Sequence, residues 1–166
     1  MAIEESVKNI IELTGENPNR PGLEKTPFYV TSFYKEFFDG YSQNLQQFDV
    51  SFPNSSNAEQ VVKMKGIRFY SMCEHHLLPF QGKVNISYIP NKKLLGFSEF
   101  VGIVNMYAHR LQVQERMNQQ ILDALVEILD PKECTVEINA THLCMKMWGV
   151  KDTHGKAVTT MKYSRE

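Results

Sequence analysis

A chain of 166 residues with 18 basic and 19 acidic side chains has a formal charge of −1, which lacks the basic excess of a general polyanion binder, so no nucleic-acid partner is expected. Its 42% hydrophobic and 22% charged content is that of a globular domain, and no apolar run is long enough to span a membrane. Three cysteines, an odd number, follow an N-terminus that does not read as an export signal, so a cytoplasmic chain with metal-binding or catalytic thiols is expected rather than a disulfide framework.

Ile3, Val7, Ile10 and Ile11 recur at helical spacing ahead of Gly15 and predict a first amphipathic helix. Thr26 reads as an N-cap before Pro27, and Val30, Phe33, Tyr34, Phe37 and Phe38 then form an aromatic stripe ending before Gly40, a second helix. The polar, turn-rich stretch from Phe52 to Asn57 predicts a surface loop. Strand texture begins at Val61 and Val62, continues over Ile67 to Tyr70, and alternates strictly at Val84, Ile86 and Tyr88 before Pro90.

Ser98 reads as the cap of a helix with apolar positions Phe100, Ile103, Val104 and Tyr107. A longer helix, opened by Gln112 to Arg116, carries Met117, Ile121, Leu122, Leu125 and Leu129 up to Asp130 and Pro131. Val136, Ile138 and Ala140 alternate again, and Leu143 to Val150 and Ala157 to Tyr163 are expected to be further strands. Strands, helices and strands without a βαβ rhythm predict an α+β fold on an antiparallel sheet, with an N-terminal helical segment over 1–50 and a catalytic unit over 51–166.

The chemistry concentrates in Ser71-Met-Cys-Glu-His-His76, where Cys73 and His76 supply a thiolate and an imidazole from one turn. That pair suits zinc, and Cys144 in Thr141-His-Leu-Cys144 is the natural third ligand. Three protein ligands leave the fourth tetrahedral position to water, the arrangement of a catalytic zinc. A structural zinc would need a fourth ligand, Cys134 or His154; otherwise Cys134 reads as a buried thiol. His75 and His142 remain beside the ligands as acid/base candidates, because an imidazole side chain as a type exchanges its proton close to operating pH. Glu115 lies near the start of the long helix, where the dipole favours negative charge, and a carboxylate there can accept two hydrogen bonds from a guanine edge.

At these residues the chain resembles the GTP cyclohydrolase I family. The matching strings are Arg20 to Pro27, Ser71 to Phe80, Gly96 to Ser98, Arg110 to Arg116 and Ala140 to Cys144, in family order over nearly the whole chain. The resemblance implies a tunnelling fold, a homo-oligomer, expected to be a decamer, with active sites between subunits, and zinc on Cys73, His76 and Cys144. It also implies water attack at C8 of guanine, protonation of the ring nitrogen by His142, later proton transfers by His75 and anchoring of the base by Glu115, with Ser98 and Gln112 also at the substrate. Formate leaves and a dihydropterin forms.

The expected triphosphate cations are missing. Tyr29, Ser32, Glu99, Gly102 and Trp148 stand where the family pattern has basic residues. Charge-assisted hydrogen bonds are each worth about 1.5 to 3 kcal/mol, so their loss predicts poor GTP binding unless Lys63, Lys65, Arg68, Lys151 or a lysine of a neighbouring subunit substitutes. The alternatives are a substrate with fewer phosphates, with Trp148 against its sugar or base, and a non-catalytic purine- or pterin-binding relative.

Overall fold

The computed structural model describes residues 2–55, 60–152 and 154–165. Ser56 and Asn57, the end of the expected loop, lie outside the described residues. Two compact units emerge, Met1–Asp39 and Gly40–Glu166.

In the first unit, α1 (Ala2–Leu13) buries Val7 and Ile11 and packs against α2 (Thr26–Phe37), which buries Pro27 and Thr31. The turn after α1 is made at Gly15, whose φ of +86° is the left-handed conformation that glycine adopts without a Cβ penalty. Thr26 is not the cap of α2: Lys25 holds that position with no side-chain cap bond, and Thr26 and Pro27 are already helical.

In the second unit, β1 (Ser51–Pro53) pairs antiparallel with β4 (Lys93–Leu95), so part of the expected loop is a strand. The main sheet contains β2 (Val62–Cys73), β3 (Pro79–Ile89), β5 (Leu111–Gln112), β6 (Glu133–His142) and β7 (Ala157–Ser164) in the order β5-β2-β3-β6-β7. It is antiparallel apart from the short β2–β5 pairing. Two long helices, α3 (Phe97–Ala108) and α4 (Gln114–Leu129), lie against the sheet.

The period-two alternation explains why only one face is apolar. Ile67, Phe69, Val84, Ile86, Tyr88, Val136, Ile138 and Ala140 are buried in one core with Phe100, Ile103, Met117, Ile121 and Leu125. Their neighbours Lys63, Lys65, Arg68, Lys83 and Asn139 occupy the alternate positions, on the opposite face. Truncating a fully buried helix residue such as Leu125 to alanine would cost about 2 to 5 kcal/mol. The α4 helix ends at Asp130, a left-handed cap with φ of +44°, just before Pro131.

Residues 40–50, placed with the N-terminal segment from the sequence, belong to this second unit, and Phe48 packs onto α3 at Gly102. A Cβ at Gly102 would stand 2.4 Å from the Phe48 ring. The expected strand over Leu143 to Val150 is absent; Leu143–Met147 is a short helix, α5. Among the described residues, no helix is long and apolar enough to cross a membrane.

Candidate metal and active site

The β2 strand delivers Cys73 to its end, and the chain then turns back on itself into β3. Cys73 N–H donates to Leu78 O at 2.9 Å and Leu77 N–H to Cys73 O at 2.9 Å, while Leu77 adopts φ of +53° to close the loop. Glu74 N–H donates to Gln112 O at 3.1 Å, tying the turn to β5. Arg116 reinforces the tie, since its guanidinium binds the Glu74 carboxylate, Leu111 O at 2.8 Å and Gln112 Oε1 at 3.0 Å. The Arg116 hydrogen bond holds the Glu74 carboxyl below the usual carboxylate range.

This turn presents its two histidines differently. The Cys73 sulfur lies 3.6 Å from His76 Nδ1, and the ligand atoms of Cys73, His76 and Cys144 all lie within 4.8 Å of one another. His75 Nδ1 reaches the Cys73 sulfur at 4.0 Å but is outside that three-way group. Tetrahedral zinc with its usual bonds to sulfur and nitrogen holds such ligands roughly 3.6 Å apart, so the donor set and spacing fit the metal. Burial first, and then the neighbouring Cys73 sulfur, push the Cys144 thiol up.

The termination of β6 at His142 is what seats Cys144. His142 pairs with Phe80 at the end of the ladder. Continued as a strand, the chain would carry Cys144 roughly 7 Å further, whereas a helical turn advances only about 1.5 Å per residue. Cys144 is therefore not delivered by the strand expected over Leu143 to Val150: His142 ends a strand, and Cys144 lies in the helix that follows it.

His142 is half-buried, with its ring stacked on Phe80 at a centroid distance of 4.5 Å and 3° between planes. Its Nε2 is 2.9 Å from Gln114 Oε1. Gln114 is 2% exposed, and its amide nitrogen donates toward Ile138 O at 3.1 Å, Ala157 O at 3.2 Å and Thr159 Oγ1 at 3.2 Å. Carbonyl oxygens only accept, so the amide cannot be turned round; Gln114 presents its oxygen, and His142 Nε2 must carry the proton. Nδ1 is then the unprotonated nitrogen of the neutral ring. Burial lowers the His142 pKa from its ordinary value, and the Glu115 carboxylate acts in the opposite direction.

Gln114 is the residue that sequence reasoning missed. Its signal was a polar side chain in phase with Met117, Asn118 and Ile121 on the buried stripe of α4. Gln112, expected at the substrate, is instead 1% exposed and committed internally: its amide nitrogen donates to Tyr107 O at 2.9 Å and Gln120 Oε1 at 2.8 Å. Glu115 is exposed in the first turn of α4. Trp148 is 62% exposed, with its ring 5.0 Å from that of His76 in an edge-on arrangement.

Ser98 is not brought to the metal ligands within one chain. It lies in the first turn of α3, where its hydroxyl donates to Glu99 at 2.9 Å, roughly 15 Å of helix from the end that leads to β5. Nor is it a cap, because Gly96 holds that position. Cys134 pairs with Tyr88 eight residues before His142 on β6, roughly 26 Å along the strand, so it does not serve as a fourth ligand. His154 is likewise outside the ligand group among the described residues. Lys63, Lys65 and Arg68 lie on the sheet face opposite the core, so they do not replace missing cations beside Cys73 within one chain.

A family model for GTP cyclohydrolase I matches residues 3–165. The GTP cyclohydrolase 1 of Finegoldia magna is 48% identical over 159 residues, 96% of this chain and 86% of that protein. That of Campylobacter curvus is 44% identical over 161 residues, 96% of this chain and 84% of the relative. Among solved structures, the archaeosine synthase QueF-Like in its apo form superposes with a TM-score of 0.55 at 17% identity, covering 66% of this chain and 98% of that one. At that identity the likeness concerns the fold, and it agrees with the tunnelling fold and its antiparallel sheet backed by two long helices. With a family match from residue 3 to 165 and close relatives along almost its full length, the chain belongs to the GTP cyclohydrolase I family.

Proposed function

We propose that this chain is a zinc-dependent cyclohydrolase that opens the imidazole ring of a guanine nucleotide or nucleoside, releasing formate and leading to a dihydropterin. The observation that carries this reading is the convergence of Cys73, His76 and Cys144 within 4.8 Å. These residues hold the zinc, which when bound supplies the Lewis acidity that makes water nucleophilic near neutral pH.

The remaining steps belong to side chains. Glu115, at the positive end of the α4 dipole, accepts the ring N–H and exocyclic amine of guanine. His142 enters neutral because burial lowers its pKa, takes at Nδ1 the proton that the attacking water gives up, and delivers it to the guanine ring nitrogen as the ring opens. Gln114 keeps Nε2 out of that exchange and orients the ring. His75, exposed beside the ligands, serves later proton transfers. Gln112 acts by bracing Arg116 and the Cys73 turn. Ser98 reaches substrate from a second copy, which its separation from the ligands supports, so the working form is a homo-oligomer with sites between subunits.

Formate release and pterin fluorescence measured with GTP, GMP, guanosine and guanine test the reading. Formate from at least one of the four, abolished in His142→Ala, is expected; none from any would overturn it.

A second reading concerns the substrate's phosphates. Trp148 lies edge-on to His76, and Phe48 fills the space over Gly102, so two positions expected to be cationic carry packing instead. A substrate with fewer than three phosphates fits these positions better, and the same four-substrate comparison ranks the candidates.

A further inference from the structure

The sheet face turned away from α3 and α4 carries an open-sided cavity of about 640 Å³, a volume suited to a small organic ligand. Its lining includes Arg68, Lys83 and Lys156 together with Gln81, Asn139 and Thr141, and no carboxylate among the described residues. The chain as a whole carries a charge of −1, so this accumulation of positive charge is local.

Register makes the accumulation more pointed. Arg68 pairs directly with Lys83, and Lys83 with Asn139, so two like charges face each other across adjacent strands. Such a pair destabilises a sheet unless an anion lies between the charges. The ion pairs among the described residues lie elsewhere. The carboxylate nearest in register on this face, Glu137, is engaged by Asn85 at 3.0 Å. One row further along, Tyr70 pairs with Gln81 and Gln81 with Thr141, placing a half-exposed aromatic ring at the rim of the cavity.

The geometry points to a second ligand site, separate from the metal site, for a small phosphorylated molecule. Its phosphoryl oxygens are held by Arg68, Lys83 and Lys156, Arg68 being able to bind two oxygens at once. Its organic part lies against Tyr70, with Asn139 and Thr141 as hydrogen-bonding partners. This site does not depend on the metal reading, because Arg68 and Tyr70 alternate with Ile67, Phe69 and Cys73 along β2 and so lie on the sheet face opposite Cys73.

Calorimetric titration of the intact protein with pyrophosphate and with ribose 5-phosphate, at near-physiological ionic strength, tests the proposal. Saturable binding is expected for both, the ester binding more tightly if Tyr70 contributes. Arg68→Gln with Lys83→Gln should weaken binding about a hundredfold, roughly tenfold per charge removed. Without ligand that variant should melt no lower than the parent, since a like-charge contact has gone. Lys156→Gln, just outside β7, repeats the test without touching the paired strands and should weaken binding about tenfold. Absence of saturable binding in the parent protein, or unchanged affinity in these variants, would overturn the proposal. So would loss of the pyrophosphate affinity in His142→Ala, which should retain it.

Discussion

Gln114 Oε1 stands 2.9 Å from His142 Nε2, and because the Gln114 amide nitrogen faces carbonyl oxygens, the bond assigns the imidazole tautomer. A buried amide on α4 thereby decides which ring nitrogen of His142 on β6 carries the proton and which does not.

Gln114→Met, close in shape but without the amide, should lower kcat by about tenfold to a hundredfold while zinc content stays stoichiometric. Formate release alongside metal analysis separates the two effects. It also leaves the Ile138 and Ala157 carbonyls with one partner fewer, so a stability loss of about 1 to 3 kcal/mol is expected. Unchanged kcat with the stability loss would reduce Gln114 to scaffolding.

Cys144→Ala should remove the metal. Two ligands from the Cys73 turn do not replace a three-way group, so zinc per chain, measured by mass spectrometry, should fall from one towards none, and activity with it. His75→Ala should keep its zinc, because His75 lies outside that group.

Gly102→Arg restores a cation only on paper. Its Cβ would meet the Phe48 ring at 2.4 Å, so Phe48 must leave its seat on α3. Overpacking of this kind costs about 1 to 3 kcal/mol, and the melting temperature should drop without any gain in GTP affinity. Trp148→Arg, on a side chain 62% exposed, should fold normally and lower the KM for GTP relative to guanosine.

Burial pushes the Cys134 thiol up to about 12 from the ordinary 9.0. The unfolded thiol ionises first, so above pH 9 the unfolded chain binds fewer protons and stability falls as pH rises, by up to about 1.4 kcal/mol per pH unit until the folded thiol also ionises. Below pH 9 the contribution is complete and flat. Denaturant midpoints from pH 7 to 11 for the parent and Cys134→Ala should show the steeper alkaline decline only in the parent. At pH 8 a thiol reagent should label Cys134 only after unfolding.

By itself the sequence determined the elements whose signal is local. Alternation at Val84, Ile86 and Tyr88 reports one apolar face of a sheet, and the spacing of Met117, Ile121 and Leu125 reports one buried stripe of a helix, because side-chain phase follows from backbone geometry alone. Cys73, His76 and Cys144 were legible for a similar reason: few residue types bind zinc, and two of them share one turn.

Tertiary structure decided what depends on partners distant in the chain. Leu143, Met145 and Met147 alternate as a strand would, yet they coil, because the ladder ends where His142 meets Phe80. Gln112 and Gln114 look alike in sequence, but one braces Arg116 and the other orients His142. Arg68 and Lys83 are ordinary surface charges until strand register sets them face to face. Composition and periodicity tell a residue which way to face; only the closing of the chain on itself chooses what it meets there, since register and turn geometry are properties of two segments at once.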